Sequence, residues 1–372
     1  MRALELRTLV TEAGTVELSL AEVDVPDPQP HEVQIRVEAA PINPSDLGLL
    51  LAGAHPATIT EGGSPDRPVA TAPLPPAARR AAAARVGVSM PAGNEGAGTV
   101  VAAGSNPEAQ GLLGKTVAAA GGGMYAQYRN VAAGLCLELP PGVTAAQGAS
   151  SFVNPMTALG MVETMRAEGH TALVHTAAAS NLGQMLNRVC QEEGIGLVNV
   201  VRSEAQASLL REAGAEFVCN SSEDTFMPAL VEAVRSTGAT IAFDAIGGGR
   251  AASQILTAME AAASAGADFS RYGSNVHKQV YIYGGLDRGP TELTRSFGFA
   301  WSVGGWLLTP FLMKAGTDKI QQMRERVAAG ILTTFASHYT ETISLVGILD
   351  PGAIAVYGRQ ATGQKYLVTP AS

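Results

Sequence analysis

Two short stretches hold most of the chemistry legible in this chain of 372 residues. The nearly continuous apolar run TALVHTA (Thr171–Ala177) passes into HTAAASNLGQ (His175–Gln184) and then into a segment of helical periodicity. Leu182, Leu186, Val189 and Cys190 form the apolar stripe of that helix, and Gly183 falls where it packs on its strand. A helix starting at a strand end offers a phosphate unpaired N–H groups and the positive end of its dipole. Ala178, Ser180, Asn181, Leu182, Gly183 and Gln184 are therefore candidate phosphate-binding positions. The usual GxGxxG is absent, with alanines and Ser180 where glycines permit close approach. Small residues at such a junction are equally compatible with plain packing.

The second stretch is NVVRSE, at the end of the next apolar run, Gly196–Val201. Units that bind NAD place an acid there to accept the ribose hydroxyls. Arg202 and Ser203 occupy that place here. A guanidinium pairs bidentately with a 2′-phosphate, which a carboxylate would repel, so the pattern points to NADPH. A solvated surface arginine is the competing reading. Two glycine-rich loops, AIGGG (with Gly247) and YGGLDRG (Tyr283, Gly284, Gly285, Leu286), could let backbone approach the same ligand, or could be ordinary turns.

The elements that must position these residues follow from periodicity. Apolar runs at Thr171–Ala177, Gly196–Val201, Ala215–Asn220, Ala239–Ile246 and Gln279–Gly285 alternate with helical spacers. That alternation predicts parallel βαβ units in a doubly wound sheet with its crevice beyond the strand carboxyl ends. The first half differs. HEVQIRVEAA (His31–Ala40) alternates with period two, and Gly98–Ser105 and Lys115–Gly122 are short β-like runs, predicting a compact β-rich domain. Between His55 and Pro91 the pattern dissolves into Pro, Gly and Ala, which reads as an insertion with a short helix near Pro76–Arg85. The expected organisation is a β-rich domain over 1–157 with an insertion at about 56–91, a nucleotide-binding domain over 158–325, and a strand-like return over 326–372.

Composition bounds the function. Hydrophobic residues make up 46% and charged residues 16%, which suits a large buried core. A formal charge of −8 argues against nucleic acid or an anionic membrane as partner. Three scattered cysteines without a CxxC pair, and a strand-like N-terminus without the apolar run of a signal peptide, lead to an expected cytoplasmic location. No run reaches the roughly 18–20 apolar residues of a membrane span.

The ordered blocks PINPSD, GNEGAGTVVAAGS, FVNPMTALG, HTAAASNLGQ, NVVRS, YIYGG and TGQKYLV together resemble the medium-chain dehydrogenase/reductase superfamily. The nearest likeness is to its zinc-independent quinone oxidoreductase and 2-enoyl thioester reductase branches. The resemblance implies an α/β fold with a GroES-like β-rich catalytic domain and a Rossmann doubly wound parallel-sheet domain. The zinc members place a Cys, a His in GHE and another Cys where this chain has Asn43, Asn94 and SFVNPMT, so no metal is expected. The resemblance further implies Asn154 and Thr157 near the nicotinamide ribose, Ser180–Gly183 at the pyrophosphate, Arg202 and Ser203 at the 2′-phosphate, Tyr283–Leu286 lining the nicotinamide, Phe297–Trp301 walling the cleft, and Lys365 approaching from the tail. The branch's catalytic Tyr is missing. Counting on from Asn43 reaches His55, and Tyr125 is a second candidate, so Asn43, His55 and Tyr125 form the catalytic set to be tested. The implied activity is hydride transfer from NADPH to a small conjugated acceptor, a quinone or an α,β-unsaturated carbonyl. An enoyl-thioester reductase using Arg79, Arg80 and Arg85 is the alternative, and a non-catalytic NADPH-binding sensor or structural protein is the rival of another class. A homodimer is expected, with Trp301–Leu312 as a possible contact.

Overall fold

The computed structural model describes residues 1–64 and 67–371. They form two compact units, residues 1–153 with 324–371 and residues 154–323.

The first unit is built from β1 (Arg2–Val10), β2 (Thr15–Asp24), β3 (Glu32–Pro41), β4 (Thr60–Ser64), β5 (Arg67–Pro73), β6 (Ser89–Pro91), β7 (Gly96–Ala103), β8 (Thr116–Ala119), β9 (Tyr128–Ala132) and β10 (Cys136–Glu138). One sheet has the order β4-β5-β2-β1-β6. A second runs β10-β8-β7-β3 and continues into the C-terminal strands Tyr366–Thr369 and Glu341–Ser344, with β9 also on β3. Leu6, Leu18, Ile35, Val37, Leu47, Leu50 and Val368 fill the core. Leu6 and Val10 of β1, and Val33, Ile35 and Val37 of β3, turn to the core in the alternation of a strand, which shifts to Ala40 at an irregularity in β3.

The stretch read as an insertion does contain helix, Pro76–Ala81 followed by a 3-10 turn at Ala83–Arg85, but it also supplies three strands. β5 pairs with β2 from Thr15↔Pro73 to Ser19↔Val69. Its inward residues are only Ala70 and Ala72, too small to give a hydrophobic signal in the sequence. The pairing with β2 creates the strand, not local propensity.

The second unit carries a six-stranded parallel sheet ordered β13-β12-β11-β14-β16-β18, from β11 (Ala172–Thr176), β12 (Gly196–Val201), β13 (Phe217–Asn220), β14 (Ile241–Asp244), β16 (Lys278–Ile282) and β18 (Trp301–Gly305). Two short strands, β15 (Gly247–Gly249) and β17 (Asp287–Thr291), pair apart from it. Val174, Val198, Val200, Ala242 and Val280 pack on Leu230, Val234, Ile255 and Met259 of the helices over one face. β18 was not expected from WSVGG, whose two glycines suppress strand propensity; it is recruited at the edge by pairing with β16. The strand order reverses at β11, with β12 on one side and β14 on the other, which places a crevice beyond their carboxyl ends.

Candidate functional site

In the second unit β11 ends in a strained turn. Ala177 has φ +51, a left-handed conformation costing roughly 1–2 kcal/mol for an alanine. Ser180 then caps the following helix, Asn181–Glu193, its Oγ accepting from Gly183 N at 3.1 Å. Gly183 cannot be replaced without movement, since a Cβ there would lie 2.2 Å from the Ala178 carbonyl oxygen. Ala178 is wholly buried, and the Gln184 amide donates to the Ala179 carbonyl at 2.9 Å. The result is a compact cradle of small residues around a helix N-terminus, with Asn181 and Leu182 half-exposed in its first turn.

At the end of β12, Arg202 is exposed, and its guanidinium has no ion pair or hydrogen bond among the described residues. Ser203 caps the helix Glu204–Glu212, accepting from Gln206 N at 3.4 Å. Beyond β14 and β16 the loops interlock. Buried Asp244 accepts from Thr176 Oγ1 at 2.7 Å, Ile246 N at 2.9 Å and Gly247 N at 3.1 Å. Thr176 Oγ1 accepts from Ala245 N at 2.8 Å. Leu286 N reaches the Ala245 carbonyl, and a Cβ on Gly284 would lie 2.5 Å from that same oxygen. Gly247, at φ +81, faces the Gly284 carbonyl just as closely, so both glycines serve backbone approach. Gly285 and Leu286 are exposed. Tyr283 Oη lies 2.7 Å from Nε2 of His175, a fully buried residue whose ring stacks on the tyrosine. Burial lowers the His175 pKa to about 3, so the imidazole is neutral. Asn154 and Thr157 are buried in the first turns of the helix Val153–Ala167.

The first unit has its own polar centre. Asn43 caps the helix Pro44–Leu50, its backbone N–H donating to Asp46 at 2.8 Å, and its amide donates to Glu95 Oε1 at 2.7 Å. The other Glu95 oxygen accepts from Phe152 N at 2.9 Å and Val153 N at 2.8 Å. Lys365 Nζ donates to Ser150 Oγ at 2.8 Å and lies 5.7 Å from the Tyr339 ring centre; Ser150 and Tyr339 share a 2.9 Å hydrogen bond. Burial raises Asp46 to about 7, helped by the charge of Glu95, and raises Glu95 as well. Lys365 is pushed down to about 8 by burial, against the pull of Glu95 and Asp46.

Of the catalytic candidates, Asn43 joins this centre through Glu95 and Tyr125 touches it through Asp46, whereas His55 does not. His55 is exposed and caps the turn Pro56–Thr58, its Nδ1 accepting from Ala57 N at 3.2 Å. Tyr125 lies in the core with its hydroxyl donating to the Pro41 carbonyl at 3.0 Å. Sequence reasoning passed over Asp46, Glu95, Ser150 and Tyr339. Asp46 and Glu95 stand inside PINPSD and GNEGAG, where a buried carboxylate beside a cap asparagine was the available signal. Nothing local marks Ser150 or Tyr339. Arg79 donates to the Glu12 carbonyl, and Arg85 donates to the Leu49 carbonyl and Thr8 Oγ1, so that among the described residues Arg80 alone of the three makes no such bond. Asn94 donates to Ser45 Oγ at 3.0 Å, and no group of three or more His, Cys, Asp or Glu among the described residues could hold a metal ion. No helix among them is long and apolar enough to cross a membrane.

No protein-family model matches the chain. The mitochondrial enoyl-[acyl-carrier-protein] reductase of Xenopus tropicalis is 30% identical over 209 residues, which are 54% of this chain and 51% of that protein. The chain thus spans about half the length of the curated relative it matches. A Mesorhizobium loti protein assigned as an NADPH:quinone reductase superposes with a TM-score of 0.73 at 26% identity, covering 99% of this chain and 98% of that one. The Escherichia coli quinone oxidoreductase, solved in complex with NADPH, gives 0.66 at 18% identity over 99% and 100% of the two chains.

Proposed function

We propose that this chain, which has the fold of the quinone-oxidoreductase and enoyl-reductase proteins of the medium-chain dehydrogenase/reductase superfamily, is an NADPH-dependent reductase of small conjugated acceptors. The observation that carries the reading is the unspent Arg202 guanidinium at the end of β12, one strand from a helix N-terminus cradled by Ala178, Ala179 and Gly183. The donor set suits a phosphorylated dinucleotide: first-turn N–H groups for the pyrophosphate, and a fork donor with Ser203 for a 2′-phosphate. When bound, the cofactor supplies a hydride to the electrophilic carbon of the acceptor. The loops at Gly247 and at Tyr283–Leu286, with Asn154 and Thr157, would orient the nicotinamide end.

A quinone fits better than an enoyl thioester. The two-electron-reduced quinone can take its protons from solvent, so this reading needs neither His55, whose Nδ1 holds a turn, nor Tyr125, whose hydroxyl donates to the Pro41 carbonyl, as a dedicated acid. Arg79 and Arg85, candidates for a thioester's phosphate tail, are likewise occupied. The reading is zinc-independent, because Asn43 and Asn94 offer amides where a catalytic zinc takes thiolate or imidazole ligands. A homodimer and a reducing, cytoplasmic setting belong to the same proposal, supported by the edge strand β18 beside exposed Phe299, Leu307 and Met313, and by three cysteines outside any disulfide.

Stopped-flow oxidation of NADPH against a quinone, an enone and an enoyl thioester tests this directly. NADPH binding with no turnover of any acceptor would move the protein to the non-catalytic class. Arg202→Ala should weaken NADPH about tenfold or more, as loss of charge-assisted hydrogen bonds does, and leave NADH unchanged. Equal affinities for NADPH and NADH throughout would overturn the cofactor assignment.

A further inference from the structure

His175 and Tyr283 are a polar pair that phosphate binding does not use. His175 is fully buried at the carboxyl end of β11, and its Nδ1 has no hydrogen-bond partner among the described residues. Among the described residues its one polar contact is Nε2 to Tyr283 Oη at 2.7 Å. Because burial keeps the ring neutral, it carries one proton, on one nitrogen or the other. A proton on Nδ1 would leave a buried N–H orphaned, which native structures avoid; a bare Nδ1 leaves only an unused lone pair. The proton therefore sits on Nε2 and is donated to Tyr283 Oη. The tyrosine's own hydrogen is then not shared with His175, and no other partner for it exists among the described residues. Tyr283 is half-buried, and it begins the loop whose backbone is locked to Ala245 and Ile246 through Leu286 N and Asp287 N.

We propose that His175 is a positioning residue that leaves the Tyr283 hydroxyl as a hydrogen-bond donor to the carboxamide oxygen at the nicotinamide end of the cofactor. This rests on the cofactor reading above, which brings the nicotinamide to the loop 283–286. The pair supplies a hydrogen bond and a fixed ring, and no covalent or redox step.

The test is calorimetric binding of NADPH and of adenosine 2′,5′-bisphosphate, which carries the 2′-phosphate half and no nicotinamide. Tyr283→Phe should weaken NADPH about tenfold, the size of one hydrogen bond to a ligand, and leave the bisphosphate unchanged. His175→Leu should weaken NADPH similarly, and adding it to Tyr283→Phe should cost nothing more, because both remove the same interaction. His175→Gln, whose amide N–H can still donate to the tyrosine, should bind close to wild type. NADPH binding unchanged in Tyr283→Phe, or a loss matched by the bisphosphate, overturns the inference. If His175→Leu fails to fold, the Tyr283→Phe comparison still decides. Wild-type protein that binds neither ligand would instead bring down the cofactor reading on which the inference stands.

Discussion

Glu95 offers the sharpest test of how the first unit holds together. It is 1% exposed, and its two oxygens accept from the Asn43 amide and from the backbone N–H groups of Phe152 and Val153. Glu95→Ala removes both acceptor oxygens, and with them three hydrogen bonds, and takes away the carboxylate that favours protonated Lys365. Each buried donor left unsatisfied costs about 1–3 kcal/mol, so the truncation should destabilise by at least about 3 kcal/mol even if water enters the space. Glu95→Gln keeps the shape and one carbonyl oxygen, which can still receive both backbone N–H groups. Its cost should stay near 1–2 kcal/mol, chiefly the mismatch with Asn43 and the lost charge. Urea unfolding at pH 7 followed by far-UV circular dichroism measures both variants against wild type. An alanine variant within about 1 kcal/mol of wild type, or one no worse than glutamine, would refute the view that this carboxylate earns its burial through three hydrogen bonds.

Three further outcomes follow from the same structure. Gly183→Ala should destabilise by about 1–3 kcal/mol and abolish NADPH binding, because the new methyl meets the Ala178 carbonyl; urea unfolding and calorimetry check it. Asp46 is raised to about 7 when folded, against about 3.9 unfolded, so between those values the folded state holds a proton that the unfolded state has lost. Stability from this group is therefore lost as pH rises from about 4 to 7, and the wild-type minus Asp46→Asn difference in unfolding free energy should fall by a few kcal/mol across that window; a rising difference would show the sign is wrong. Burial lifts the thiols of Cys136 to about 12 and Cys219 to about 11, and Cys190 is also buried. A disulfide reagent at pH 8 should find no fast-reacting thiol in the folded protein and three in urea.

Much of the second unit was legible because its strands are buried on both faces. Val, Leu and Ile runs followed by helical periods specify βαβ units whatever surrounds them, and the same logic places His175–Gln184 and Arg202 at strand ends. The first unit was less legible. β5 buries only alanines, and β18 is half glycine and serine, so both exist through the neighbour each pairs with. The first unit's polar centre was hidden for a related reason. Asn43, Glu95, Ser150, Tyr339 and Lys365 are spread over more than 320 residues, and no spacing rule joins them. His175 shows the boundary most plainly. Its place at the end of an apolar run could be read from the sequence, whereas its neutrality, its stacking and its bond to Tyr283 came only when β11 and β16 were brought into one sheet with β14 between them. Local patterns encode burial and direction along the chain. Which polar groups meet inside depends on strand order, which the chain settles only by folding.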